Sequence, residues 1–230
     1  MNVLITGASR GIGLEMVSYG IERNWRVFAC CRHPQQADRL LALAKLANGR
    51  ASVHVVDMEE LATIQALAYE LRNEAIDILV NNAGIYGSDN NKFGNVDVAS
   101  WSNTFQVNSI APLKVAEALI EQVRMGERKV IACMTSKMGS MADNGYGNSY
   151  IYRSSKAALN AVVKSMSIDL REDGIKCVAL HPGWVKTDMG GPNAEITSRE
   201  SVDCLFDIML NLEQKDSGRF IDIDGTDIPW

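Results

Sequence analysis

The sequence is short of the residue patterns that would announce a metal, a disulfide framework or a membrane. Its five cysteines, Cys30, Cys31, Cys133, Cys177 and Cys204, are odd in number and form no Cys-x-x-Cys. Four of them fall in apolar, β-rich runs, where a thiol packs as a small hydrophobe, so reduced core cysteines are expected. The three histidines, His33, His54 and His181, stand at no metal-ligand spacing from one another, and no metal site is expected. Nothing approaches the ~18 consecutive apolar residues of a membrane span. The first residues run straight into a strand-like stretch, with no charged region leading a cleavable apolar segment. A formal net charge of −5, with no basic stripe on any predicted helix, argues against a dedicated nucleic-acid binder. These absences together predict a cytosolic protein.

What is present is an ordinary globular balance, 47% apolar and 22% charged over 230 residues. That length suits one large domain, and no repeat, low-complexity tract or Pro/Gly linker divides it, so residues 1–230 are read as a single domain. Short β-rich runs recur at 3–5, 26–31, 52–56, 76–80, 129–134, 175–180 and 218–222. Segments of helical periodicity lie between them, at 11–24, 35–47, 59–73, 98–125, 150–172 and 198–212. Strands alternating with helices imply βαβ units and right-handed crossovers. The expected fold is α/β, a Rossmann-like doubly wound parallel sheet of about seven strands in a three-layer α/β/α arrangement.

Tyr152 and Lys156 stand at the head of the helix predicted from residue 150. Residues four apart share one helical face. Leu159, Val162, Val163, Met166 and Leu170 give this helix its apolar stripe, and the row of Tyr152 and Lys156 extends to Leu159 and Val163. The pair therefore borders the buried face. A lysine ammonium beside a phenol favours the phenolate and lowers a pKa that is about 10 in free tyrosine, which suits proton exchange with a carbonyl or alcohol oxygen. Tyr146 and Tyr150 have no lysine four residues on.

The stretch Thr6-Gly7-Ala8-Ser9-Arg10-Gly11-Ile12-Gly13 joins the first strand to the first helix. Glycines there permit a tight turn and let backbone N–H groups approach a pyrophosphate at the positive end of the helix. About twenty residues on, at the end of the second strand, a carboxylate normally takes the adenosine ribose 2′-OH of NAD. Cys31 and Arg32 stand there instead, and the nearest acid, Asp38, lies in the next helix. Arg32, with Arg10 as a second guanidinium, suits a 2′-phosphate, so NADP(H) is favoured over NAD(H).

These stretches, together with Asn81-Asn82-Ala83-Gly84, Asn108, Ser136 and Pro182-Gly183 in their order, resemble the short-chain dehydrogenase/reductase family across essentially the whole chain. Within it, residues 181–191 and 224–230 resemble the Sniffer-type carbonyl reductases and the bacterial C-factor proteins. The resemblance implies a tetrad. Tyr152 would be the general acid in reduction, Lys156 would tune it and hydrogen-bond the nicotinamide ribose, and Ser136 would donate to the substrate oxygen. Asn108 would hold a water linking Lys156 to a proton relay. It also implies cofactor contacts from Gly7, Ser9, Arg10, Gly11, Ile12 and Gly13 in the turn, and from Arg32. Asp57 would meet the adenine amino group with Met58 beside it, and Asn82, Ala83 and Gly84 would border the adenosine ribose. Pro182, Gly183, Val185 and Thr187 would line the nicotinamide.

One departure from the family's pattern concerns the serine. Tyr152 stands sixteen positions after Ser136, a few more than usual, and Ser140 would shorten the gap. Ser136 is preferred because it closely follows the apolar run ending at Met134, where a strand's carboxyl end should lie. The substrate pocket is expected under Ile85, Tyr86, Gly87, Met138, Met141, Tyr146 and the loop 184–189, an apolar, methionine-rich set suited to small carbonyl or alcohol substrates. Two rival readings stay open: a dinucleotide-binding signalling protein with little turnover, and an NAD-linked alcohol dehydrogenase. The resemblance also implies a possible homodimer through the helices bearing Asn108 and Lys156, with Ala116, Leu119, Ile120 and Val123 either in the contact or in the core.

Overall fold

The computed structural model describes residues 1–230. Strands and helices alternate along the first half: β1 (Asn2–Thr6), α1 (Gly11–Glu22), β2 (Arg26–Cys31), α2 (Asp38–Leu46), β3 (Ala51–Val55), α3 (Leu61–Glu70) and β4 (Ile78–Asn81). A small hairpin follows, β5 (Asn91–Lys92) and β6 (Asn95–Val96), then α4 (Val98–Phe105), α5 (Ala111–Ala118) and α6 (Ile120–Met125). The chain ends with β7 (Val130–Met134), α7 (Tyr150–Asp169), β8 (Lys176–Leu180), α8 (Ser198–Asn211) and β9 (Phe220–Ile221). Seven strands form one sheet in the order β3-β2-β1-β4-β7-β8-β9, every pairing parallel.

Side chains alternate across each strand, so both faces of the sheet receive apolar residues. Leu4, Phe28, Leu79, Ile131 and Cys177 join one core with α3, α5 and α7. Val3, Ile5, Val27, Ala29, Val80, Ala132 and Val178 join the other with α1, α2 and α8. This is the expected doubly wound three-layer fold. The strand order reverses between β1 and β4. A crevice opens at such a reversal beyond the carboxyl ends of the strands, and it brings the glycine turn after β1 beside Asn82–Gly84 after β4.

Three features depart from expectation. The predicted helix over 98–125 is broken: residues Gln106–Ile110 form a π-helical turn, and Leu119 (φ −104°, ψ 14°) separates α5 from α6. Pro112 has no N–H to give the carbonyl four residues back, that of Asn108, and the ladder widens around it. The hairpin has strands of two residues, too short to carry an alternation. β9 is likewise two residues long, extended by an isolated bridge from Ile221 to Asp227.

Ala116, Leu119 and Val123 belong to the core beneath α5 and α6, and Ile120 packs against it, so these residues are not a free dimer face. No helix is long and apolar enough to cross a membrane. Four cysteines are buried and Cys204 is exposed. Burial pushes the Cys133 thiol up to about 12, away from the reactive thiolate. An aromatic disulfide reagent is therefore expected to titrate one of the five thiols in native protein and all five after denaturation. Rapid native labelling of more than one would contradict the packing.

Candidate active site

The glycine turn is locked to the loop after β4 by contacts that only glycine allows. Gly7 has φ +67°, and a Cβ there would lie 2.8 Å from the Ala83 Cα. A Cβ on Gly13 would lie 2.3 Å from the Gly7 carbonyl oxygen. Thr6 Oγ1 accepts from the backbone N–H groups of Asn82 (3.0 Å) and Ala83 (3.1 Å). Asn82 Nδ2 returns bonds to the carbonyls of Thr6 (2.9 Å) and Gly7 (3.3 Å). Thr6 is a site residue that sequence reasoning passed over, although its place just before Gly7 marks it as the only hydroxyl able to read the neighbouring strand.

The amino end of α1 is open to an anion. Its N-cap, Arg10, makes no side-chain cap, and the first turn contains no acid. The leading N–H groups of Gly11, Ile12 and Gly13 thus have no partner of their own kind and carry the positive end of the helix dipole. Ser9 and Ile12 are partly buried beside them. This arrangement fits a pyrophosphate. Arg10 Nη1 pairs with Asp188 at 3.1 Å, and Arg32 Nη1 lies 3.7 Å from Glu59. All four side chains are largely exposed, so these pairs are weak and either guanidinium is free to exchange its partner for a phosphate. Asp57 Oδ1 accepts the Glu59 N–H at 3.0 Å, and Met58 is buried with its carbonyl taking a bond from Gln106.

The four predicted catalytic residues converge at the carboxyl ends of β4 and β7. Tyr152 and Lys156 lie on the buried face of α7, with Lys156 only 4% exposed. Ser136 lies beside Tyr152, close enough to lower the pKa of its phenol; it caps a short 3-10 turn over Lys137–Gly139 and accepts the Met138 N–H at 3.2 Å. The other serine is spoken for: Ser140 is buried, donates to the Pro229 carbonyl and accepts the Asp143 N–H at 3.0 Å. The structure thus brings Ser136, not Ser140, to the phenol. Tyr86 stacks on Tyr152, ring centroids 4.7 Å apart, and its hydroxyl meets Ser149 Oγ at 2.9 Å.

Asn108 is buried in the cluster, with its side chain turned to the loop after β4 and to α7. Its Oδ1 accepts the Ile85 N–H at 2.9 Å, and its Nδ2 donates to the Ile85 carbonyl (2.8 Å) and Ser155 Oγ (3.0 Å). Through these bonds the side chain pins the loop after β4 to α7. Ser155, three residues after Tyr152 on the same helical face, was not anticipated. Gly84 lies close by: a Cβ on it would fall 3.4 Å from Lys156 Nζ.

Electrostatics in the cluster run opposite to the lysine effect expected from the sequence. Burial pushes the Tyr152 phenol up to about 12, and the neighbouring Ser136 only partly opposes it. Burial likewise brings Lys156 down to about 8. The ammonium points to the Met134 carbonyl at 2.9 Å and sits 5.7 Å from the Tyr152 ring centre. Desolvation is the largest cause of the Tyr152 shift, so the resting phenol keeps its proton.

The loop after β8 covers the glycine turn. Pro182 is tied to α8 by Ser201 Oγ (2.7 Å), Gly183 takes φ +79°, and Val185 bridges to Ile196. Thr187 Cγ2 would lie 3.3 Å from a Cβ on Gly11, and Thr187 Oγ1 accepts the Gly190 N–H at 3.1 Å. Trp184 donates to the Gly190 carbonyl at 2.8 Å and leaves its ring half exposed above the crevice. Met141 and Tyr146, expected to roof the pocket, are 75% and 88% exposed and do not enclose it.

A parallel sheet with a glycine turn at its switch point and a Ser–Tyr–Lys cluster across the crevice defines a dinucleotide-binding oxidoreductase. Residues 1–197 match the family model for short chain dehydrogenases, and the chain belongs to the short-chain dehydrogenase/reductase family. It is 44% identical to C-signal of Myxococcus xanthus over 167 residues, which are 73% of this chain and 100% of that protein. Its fold superposes on the carbonyl reductase Sniffer of D. melanogaster with a TM-score of 0.93 and 32% identity, covering 100% and 99% of the two chains. An NADPH-bound carbonyl reductase from chicken fatty liver gives a TM-score of 0.92 and 36% identity, covering 100% and 98%.

The lowered Lys156 pKa has a consequence for stability. Between about 8 and 10.5 the folded chain has released this proton while the unfolded chain still holds it. The contribution of Lys156 to stability therefore rises with pH across that window, and its burial cost is fully present below it. Melting temperature against pH, compared between wild type and Lys156→Met, should show the variant gaining most below pH 8 and the gain shrinking towards pH 10.5. A constant difference across the window would remove the burial argument.

Proposed function

We propose that this NADP-dependent oxidoreductase reduces small, apolar aldehydes or ketones, with Tyr152 as the proton donor. The observation that carries the reading is the buried phenol, kept protonated by its burial and lying beside the buried Ser136 at the mouth of the crevice. Bound NADPH supplies the hydride. The first turn of α1 holds the pyrophosphate, Arg10 and Arg32 take the 2′-phosphate, and Asp57, Met58, Asn82, Ala83 and Gly84 flank the adenosine half. Pro182, Gly183, Val185 and Thr187 face the nicotinamide half.

The chemistry of the side chains follows from their placing. Ser136 Oγ donates to the carbonyl oxygen, a preorganised bond of the oxyanion-hole type worth about 3 kcal/mol where charge develops. Tyr152 Oη gives its proton to the same oxygen as negative charge gathers there. The phenolate left behind lies near the Lys156 ammonium, so the lysine acts on the charge as it forms rather than on the resting phenol. Tyr86 covers one face of the Tyr152 ring and restricts the substrate to the open edge. Trp184, Met138 and Ile85 offer apolar surface without a cationic clamp for a carboxylate or phosphate, which suits small neutral carbonyls.

A second reading is favoured by the identity to C-signal: a dinucleotide-binding signalling protein with little turnover. Tyr152→Phe separates the two. For a reductase it should lower kcat for an aldehyde or ketone panel by about 10³-fold while NADPH affinity, read by fluorescence titration, changes little. Undiminished turnover in the variant would sink the proton-donor role.

The 2′-phosphate contacts are tested by Arg10→Ala and Arg32→Ala. Each removes a charge-assisted hydrogen bond of about 1.5–3 kcal/mol, and NADPH affinity should fall roughly 10-fold or more per arginine. NADH affinity should stay within about 2-fold, well under the 1.4 kcal/mol of a tenfold change. Equal losses for both dinucleotides would assign the arginines to something other than the phosphate.

A further inference from the structure

The fifteen residues between Ser136 and Tyr152 have an anchor in a segment distant in sequence, residues 222–230. Residues 222–230 touch the first part of this stretch at three successive places. Lys137 Nζ lies 3.7 Å from Asp222 Oδ2, Ser140 Oγ donates to the Pro229 carbonyl, and the Ala142 N–H donates to the Trp230 carbonyl at 3.0 Å. From the other side α7 holds the same residues: Arg153 Nη1 donates to the Met138 carbonyl (3.2 Å) and Asn160 Nδ2 to that of Gly139 (3.4 Å). The fit is tight, since a Cβ on Gly139 would lie 2.9 Å from the backbone of Lys156.

The 222–230 segment is itself fixed to the sheet. Ile228 is buried and its N–H donates to the Phe220 carbonyl at 2.8 Å. The Trp230 ring packs on Phe220, centroids 5.6 Å apart, and Arg219 ties Asp227 to Asp216. Beyond Ala142 the chain carries the exposed Tyr146 and three successive residues of positive φ, Gly147, Asn148 and Ser149, before α7 begins. Ser136 caps the very turn that is clamped, so the direction of its Oγ is set by where residues 137–142 sit.

We propose that residues 228–230 are a positioning clamp for the active-site turn: through Ser140 and Ala142 they hold residues 137–142 against α7, so that Ser136 stays beside Tyr152. Ser140 and Trp230 are positioning residues and touch no reacting atom. The functional consequence rests on the reductase reading above, while the clamp is a property of the fold. Small misplacements remote from the chemistry are costly because the proton must cross a fixed hydrogen-bond distance.

The test compares full-length wild type, Ser140→Ala, Trp230→Ala and Trp230→Phe. Amide hydrogen exchange across 138–142 should rise in both alanine variants while exchange in the central strands is unchanged. The kcat for carbonyl reduction should fall about 10- to 100-fold with the KM for NADPH within about 2-fold, and Trp230→Phe, which keeps the ring packing on Phe220, should restore both. Unchanged exchange across 138–142 overturns the clamp. Raised exchange with kcat within about 2-fold of wild type overturns its role in positioning Ser136. A wild type that reduces no carbonyl fails the reductase reading, and the exchange measurement still decides the clamp.

Discussion

The interlock between the turn after β1 and the loop after β4 is the constraint on which the rest of the site depends. Two glycines without side chains let backbone meet backbone, and Thr6 and Asn82 then satisfy the polar groups that the close approach buries. This contact sits where the strand order reverses, so it fixes the amino end of α1 and the Ala83–Ile85 loop in one frame. Asn108 carries the frame onward by clasping Ile85 on one side and Ser155 of α7 on the other. The anion-binding end and the proton-donating end are therefore held by a single chain of backbone-directed hydrogen bonds.

The dry setting of that frame decides the chemistry of its two titratable groups. Burial moves the phenol and the ammonium in opposite directions, each towards its neutral form. A tyrosine kept protonated is a donor by default, and the cation nearby becomes most valuable when the donor has given its proton. The lysine thus complements the state that follows proton transfer, which is where differential stabilisation accelerates a reaction.

Much of this was legible in the sequence, and the pieces that were not share a cause. The apolar runs of β1, β2, β4, β7 and β8 and the stripe of α7 report directly on burial, so the sheet, its helices and the facing of Tyr152 and Lys156 could be read from spacing. The break at Pro112 could have been read too, since a proline inside a helical pattern removes a donor, but the apolar periodicity across 98–125 masked it. The hairpin and β9 have strands of two residues, below the length at which alternation exists. The partners of Asn108 and Arg10 and the opposed shifts of Tyr152 and Lys156 depend on residues remote in sequence.

The serine shows the division most sharply. Order along the chain and nearness to an apolar run selected Ser136 over Ser140, yet the long spacing to Tyr152 pulled the other way. Tertiary structure decides between them, because Ser140 is drawn aside by a carbonyl 89 residues distant. The sequence by itself determined the layered sheet, the glycine turn and the pairing of Tyr152 with Lys156, since these follow from local periodicity and backbone freedom. Only the packed structure decided which protons are held and which side chains are already spent, since burial and hydrogen-bond saturation are properties of neighbours that the chain brings together from far apart.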